Sequence, residues 1–158
     1  MISVLFVCLG NICRSPMAEA VLRHQLKARE LEDRIKVDSA GTGDWHLGKP
    51  PHEGTRELLE RYGISYEGMR ARQVLIDDYQ TFDYIICMDS ANERDVQALF
   101  GSRSDLHAKV FKFMDLLPGE SSNDVPDPYY TGNFDEVYGL VSKGCENLLE
   151  RIRHEHQL

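Results

Sequence analysis

Apolar residues fall along this chain in two alternating periodicities. Residues 2–7 form a short, mostly apolar run, as expected of a buried strand. Over residues 15–29, Met17, Ala20, Val21 and Leu26 recur at helical spacing, which predicts a helix with one inner face. Residues 35–39 read as a second strand. Residues 41–52 are rich in Gly and Pro and carry Trp45, so they read as a long loop. A helix over 52–62 is closed by Gly63, a good C-terminal signal. Residues 82–88 give a third strand, with Ser90 placed to cap the helix after it. Residues 110–113 give a short fourth strand, and residues 117–133 a loop. The last helix, over 133–154, has the stripe Phe134, Val137, Tyr138, Val141, Cys145, Leu148, Leu149 and Ile152.

Strands that alternate with helices predict an α/β fold: a doubly wound, mostly parallel four-stranded sheet flanked by helices. In such sheets ligands bind at the carboxyl ends of strands, where the strand order switches. Cys8, Ser39 and Asp89 all fall at such ends. No repeat or linker divides the 158 residues, so residues 1–158 are expected to be a single domain. A chain of this length buries roughly 68–70% of its unfolded surface and needs no covalent staple.

Charge and cysteine usage narrow the function. The net charge of −8 argues against nonspecific nucleic-acid binding, which needs a basic face. It also means that any anion site must be positive only locally. No apolar run approaches the roughly 20 residues needed to cross a membrane, and the N-terminus lacks the basic segment of a signal peptide. Cys8, Cys13, Cys87 and Cys145 make neither metal-ligand spacings nor a disulfide framework. That pattern fits a reducing cytoplasm. Cys87 and Cys145 read as core residues.

The densest chemistry lies at the end of the first strand. Cys8 closes that strand, Gly10 and Asn11 favour a curled backbone, Arg14 and Ser15 follow, and Pro16 suits an early helical position. A curl of this kind turns successive N–H groups inward as an anion nest, and the helix N-terminus adds its own donors. Arg14 supplies a planar fork for two phosphoryl oxygens. This field favours the thiolate of Cys8, and the Ser15 hydroxyl is placed to donate to it. A thiolate in such a nest can attack phosphorus. The leaving group then needs an acid from another loop, and Asp127, between Pro126 and Pro128, is the candidate. Asp-Pro is also an ordinary turn signal. With Cys8 and Arg14 in the same chain, the acid reading is preferred. His46 and His52 read as solvated loop histidines, and Asp89 as a structural carboxylate that orders an arginine such as Arg72.

The run from Val7 to Ala20 resembles the signature loop of the low-molecular-weight protein tyrosine phosphatases, bacterial type. The resemblance continues in order at Asp38 to Thr42, Trp45 to Gly48, Ala71 to Gln73, Cys87 to Asp89 and Asp127 to Tyr130. It implies a metal-independent phosphotyrosine hydrolase that uses no cofactor and acts on phosphotyrosine proteins or small aryl phosphates, releasing inorganic phosphate. Cys8 would be the nucleophile, Arg14 the phosphate clamp, and Asp127 the general acid and then the general base. Leu9, Gly10, Asn11, Ile12, Cys13 and Ser15 would bind substrate, with Asn11 bracing the loop and Ser39 supporting it. Trp45, Tyr129 and Tyr130 would wall the ring slot above Ile12. A monomer or weak homodimer is expected.

Departures and rivals refine this picture. Met69 stands where many members carry a histidine that helps hold the loop asparagine. Related arginine phosphatases are expected to carry threonine at the position of Ile12, whose apolar side chain suits a flat ring better than a guanidinium. Arsenate reductases on this fold need two further relay cysteines. Cys87 is a candidate for one, but residues 88–100 hold no other. A noncatalytic phosphate-binding module would usually lack the nucleophile or the acid. Cys13 is either loop filler or a partner that shields Cys8 by a reversible disulfide. Mass spectrometry after mild peroxide separates the two. An intramolecular Cys8–Cys13 disulfide identifies a partner; sulfinic Cys8 without one identifies filler.

Overall fold

In the computed structural model, which describes residues 1–101 and 107–158, four strands form one sheet in the order β2-β1-β3-β4, and all three pairings are parallel. The elements are β1 (Ile2–Cys8), α1 (Arg14–Ala28), β2 (Ile35–Gly41), α2 (Glu53–Arg61), α3 (Asp78–Thr81), β3 (Tyr84–Cys87), α4 (Ser90–Phe100), β4 (Lys109–Lys112), α5 (Pro128–Thr131) and α6 (Phe134–His156). A 3₁₀ turn, Phe113–Leu116, follows β4.

β1 is the axis of the fold. It pairs on both sides and is buried on both faces, which is why its sequence is nearly continuous in apolar residues. Val4, Phe6 and Cys8 face the larger core, built with Met17 and Leu22 of α1, Leu58 and Leu59 of α2, and Val141 and Leu148 of α6. Leu5 and Val7 face a second core, with Tyr79, Phe82, Val96 and Phe100. The chain leaves β1 for β2 on one side and later returns to β3 on the other. The order therefore switches at the carboxyl end of β1, where Cys8 lies. Among the described residues, no helix is long and apolar enough to cross a membrane.

Several local expectations change. β3 is shorter than the segment 82–88, and just before it the Asp83 carboxylate accepts from the Ser3 N–H and meets the His107 ring. The cap of α4 is Asp89, not Ser90: Asp89 accepts from the Asn92 N–H at 2.8 Å, and Asn92 returns a bond to the Asp89 N–H. Ser90 bonds to Asp124 instead. The loop over 117–133 contains the short helix α5, closed by Gly132 in the left-handed conformation. The last helix continues to His156, whose ring meets the Tyr84 hydroxyl at 3.1 Å.

Two glycines on α6 make a matched test of packing. A Cβ on Gly144 would lie 2.3 Å from the buried Phe113 ring, whereas a Cβ on Gly139 would meet nothing within 4 Å. Gly144→Ala is therefore expected to lower stability by about 1–3 kcal/mol through overpacking. Gly139→Ala should raise it by up to about 1 kcal/mol through helix propensity. Urea unfolding of the two variants measures both signs.

Candidate active site

The segment between β1 and α1 folds back over the end of β2. Four of its carbonyls are held from outside. Thr42 N–H donates to Cys8 at 3.0 Å, Gly43 N–H to Leu9 at 2.9 Å, His52 N–H to Ile12 at 2.7 Å, and the Thr55 hydroxyl to Cys13 at 3.3 Å. Carbonyls turned outward leave the loop's N–H groups turned inward, as a nest requires. The seat needs glycine at Gly41, where a Cβ would lie 2.8 Å from the Leu9 oxygen. Asn11 alone takes the left-handed conformation, at φ 57°; Gly10 does not share it. At Gly10 the constraint is closeness instead, since a Cβ there would sit 3.0 Å from the His46 ring and the ring would have to shift. Cys13 is the N-cap of α1, and Pro16 falls in its first turn.

Donors converge on the Cys8 sulfur. The Asn11 N–H points to it at 3.3 Å, and the Ser15 hydroxyl lies 3.0 Å away. Asn11 Nδ2 donates to the Ser15 oxygen at 2.8 Å, so the Ser15 proton has two acceptors in reach, the sulfur at 3.0 Å and the Ala40 carbonyl at 3.5 Å, and the sulfur is the nearer. The same Nδ2 donates to Ser39 at 3.0 Å, and Ser39 donates to Glu19 at 2.6 Å. Glu19 is paired with Arg23. Burial pushes the Glu19 carboxyl above its ordinary range, against the bonds from Ser39 and Arg23. The Asn11 side-chain oxygen accepts from the Arg72 backbone N–H at 2.9 Å. A main-chain donor thus serves this oxygen in a chain that has Met69, itself buried in the core.

Arg14 is 2% exposed and joins three segments. Nη1 donates to Asp89 at 2.7 Å and to the Val125 carbonyl at 3.0 Å, and Nη2 lies 3.3 Å from Asp127. Burial opposes its charge, but Cys8, Asp89 and Asp127 outweigh that and hold the guanidinium charged. Asp89 therefore orders Arg14, not Arg72, which pairs with Asp38 and Asp78. One Asp127 oxygen caps α5 by accepting from the Tyr129 N–H, as its turn reading expects, and the other faces Arg14.

These parts surround one cavity of about 370 Å³. Cys8, Leu9, Gly10, Ile12, Cys13 and Arg14 form its floor, and Asp127, Trp45, His46, Tyr129 and Tyr130 its walls. Trp45 and Tyr130 are 65% and 75% exposed, so the rim is apolar and open. Asn11, Ser15 and Ser39, read from sequence as binding or support residues, lie behind the floor and act on the sulfur and the loop. His46 and His52 are half-buried and packed on aromatic rings rather than freely solvated. His46 lines the cavity beside Tyr129 (centroids 6.2 Å apart), and His52 packs on Tyr129 and Phe134. Glu19 was also missed, although an acid four residues before Arg23 on the inner side of α1 was a readable signal.

The four thiols are free. Burial, with Cys8 and Asp127 nearby, pushes Cys13 up to about 12, so it is a neutral thiol. Burial pushes Cys87 higher still, which leaves it inert as a relay.

The family model for low molecular weight phosphotyrosine protein phosphatase matches residues 3–158. The chain is 55% identical to low molecular weight protein-tyrosine-phosphatase YfkJ of Bacillus subtilis, over the full length of both. It is 47% identical to low molecular weight protein-tyrosine-phosphatase PtpA of Staphylococcus aureus, covering 96% of this chain and 94% of that one. The crystal structure of YfkJ superposes with a TM-score of 0.94 at 54% identity, covering 98% and 96% of the two chains.

Asn11 carries a testable share of the loop's stability. Asn11→Ala is expected to cost roughly 2–4 kcal/mol, from the left-handed backbone and the buried partners left unpaired. Asn11→Gly should cost less, because it keeps the backbone conformation and loses only the bonds. Urea unfolding of both variants checks the order.

Proposed function

The chain belongs to the low molecular weight phosphotyrosine protein phosphatase family, and on that premise we propose that it hydrolyses phosphotyrosine through a phosphocysteine formed on Cys8. It is a protein-tyrosine-phosphatase, a phosphoric monoester hydrolase. The observation that carries the residue assignments is the convergence of the Cys8 sulfur, the Arg14 guanidinium and the Asp127 carboxyl on one cavity.

In the first step the Cys8 thiolate attacks phosphorus. The P–S bond forms, the bond from phosphorus to the tyrosyl oxygen breaks, and Asp127 gives its proton to the leaving oxygen. The inward amides and Arg14 stabilise the equatorial oxygens as charge spreads over them. In the second step Asp127 takes a proton from water, the water oxygen bonds to phosphorus, the P–S bond breaks and inorganic phosphate leaves. Cys8 returns as thiolate and Asp127 as acid, so the cycle closes without an added reductant or cofactor. A phosphate dianion in the nest would compete with Asp127 for Arg14 and free the carboxyl to face the leaving group.

Ile12 on the floor, with Trp45, Tyr129 and Tyr130 above it, supports a flat aromatic side chain over a guanidinium. Phosphotyrosine proteins and small aryl phosphates are the substrates of this reading. Residues 1–158 act as one phosphatase domain, a monomer or weak homodimer. Four free thiols suit the cytoplasm.

Matched phosphotyrosine, phosphoserine and phosphoarginine substrates, assayed with EDTA present, test the reading. Turnover is expected from phosphotyrosine and is lost in Cys8→Ser, which should still bind phosphate analogues. Arg14→Lys should fail, because an ammonium cannot form the two-pronged contact. Asp127→Ala should slow poor leaving groups far more than good ones. Equal loss across leaving groups would remove Asp127 from the acid role, and a preference for phosphoarginine would overturn the inference from Ile12.

A further inference from the structure

His52 stands at a junction of three segments. Its Nδ1 accepts the Gly54 N–H at 3.0 Å and so caps α2. Its backbone N–H donates to the Ile12 carbonyl in the phosphate-binding loop at 2.7 Å. Its ring stacks on Phe134, with centroids 5.4 Å apart and planes at 20°. It also meets the Tyr129 ring edge to face, at 5.9 Å and 75°. Phe134 packs in turn against Ile12 and Cys13. The approach is close: a Cβ on Gly54 would fall 2.4 Å from the Phe134 ring.

The capping bond does more than end a helix. With Nδ1 as the acceptor of the Gly54 N–H, the ring plane cannot turn without losing the cap. The Tyr129 ring also meets His46 at 6.2 Å and Tyr130, itself 75% exposed, at 5.3 Å, but it is His52 whose ring is held by a capping bond. Tyr129 is half exposed, on a four-residue helix, and its main chain is tied to Asp127.

We propose that His52 is a positioning residue for substrate recognition: its capped imidazole is the fixed back-stop that seats Tyr129 and thereby sets the width of the slot for the substrate ring. This rests on the reading of Tyr129 as a wall of the phosphotyrosine site. The contact acts on the ring and not on the phosphate. The anion touches the loop, and the His52 backbone bond to Ile12 survives any change of its side chain.

His52→Asn tests this, because asparagine keeps a capping acceptor and removes the ring. An edge-to-face aromatic pair corresponds to about threefold to tenfold in binding. KM for phosphotyrosine is expected to rise by about that factor while kcat stays within about twofold. The inhibition constant of inorganic phosphate should not move, which also reports an intact loop. In a Tyr129→Ala background, His52→Asn should raise KM no further, since its effect passes through Tyr129. An unchanged KM, a phosphate constant that rises in step with KM, or additivity with Tyr129→Ala would each overturn the proposal while leaving the phosphatase reading intact. Absence of wild-type turnover would instead defeat that reading, and this inference with it.

Discussion

A buried guanidinium holds the active site together. Arg14 draws the loop after β1, the turn after β3 and the segment around Asp127 onto one point, across 75 and 113 residues of chain. Burying a charge costs several kcal/mol unless its partners are well placed. Arg14 meets that cost with Asp89, the Val125 carbonyl and Asp127. Its packing thus fixes where the Asp127 carboxyl stands relative to the Cys8 sulfur. Asp89 contributes twice, because the carboxylate that steadies Arg14 also caps α4. The loop geometry and the helix position are therefore not independent.

The charge arrangement explains how an acidic chain can favour an anion site. Among the described residues, the buried cation beside the sulfur is Arg14, and it already faces Asp89 and Asp127, so the charged side chains leave no surplus of positive charge there. Attraction for an anion therefore rests on the fork of Arg14 together with the dipoles of the loop amides and of the N-terminus of α1. Such dipoles act over short distances. They contribute little to long-range steering, which a net charge of −8 would oppose for an acidic partner.

What the sequence revealed follows from how local each interaction is. Cys8, Asn11, Arg14 and Ser15 lie within eight positions, and their residue types declare a strand, a curl and a helix start. The apolar run of β1 and the stripe on α6 were readable for the same reason. Asp89 as the partner of Arg14, Glu19 beneath Ser39, and His52 against Tyr129 were not readable from periodicity. Each depends on which segments the sheet order brings together, and no local pattern encodes that. The prolines around Asp127 showed a stiff turn, but only the fold shows that one oxygen closes that turn while the other faces the arginine. The main-chain donor that meets Asn11 in the presence of Met69 was invisible too, since a backbone N–H carries no residue identity.

The cavity's floor and walls come from different parts of the chain. The groups at the phosphorus end sit in one continuous stretch at the end of β1, whereas Trp45, His46, Tyr129 and Tyr130 stand on two loops from far along the sequence. The sulfur and the guanidinium are therefore under largely separate genetic control from the rim, with Asp127 as the bridge between them, two residues from Tyr129. Drift at Trp45, His46, Tyr129 and Tyr130 can change what the rim recognises while the stretch after β1 stays as it is. A scaffold built this way is evolvable at its rim.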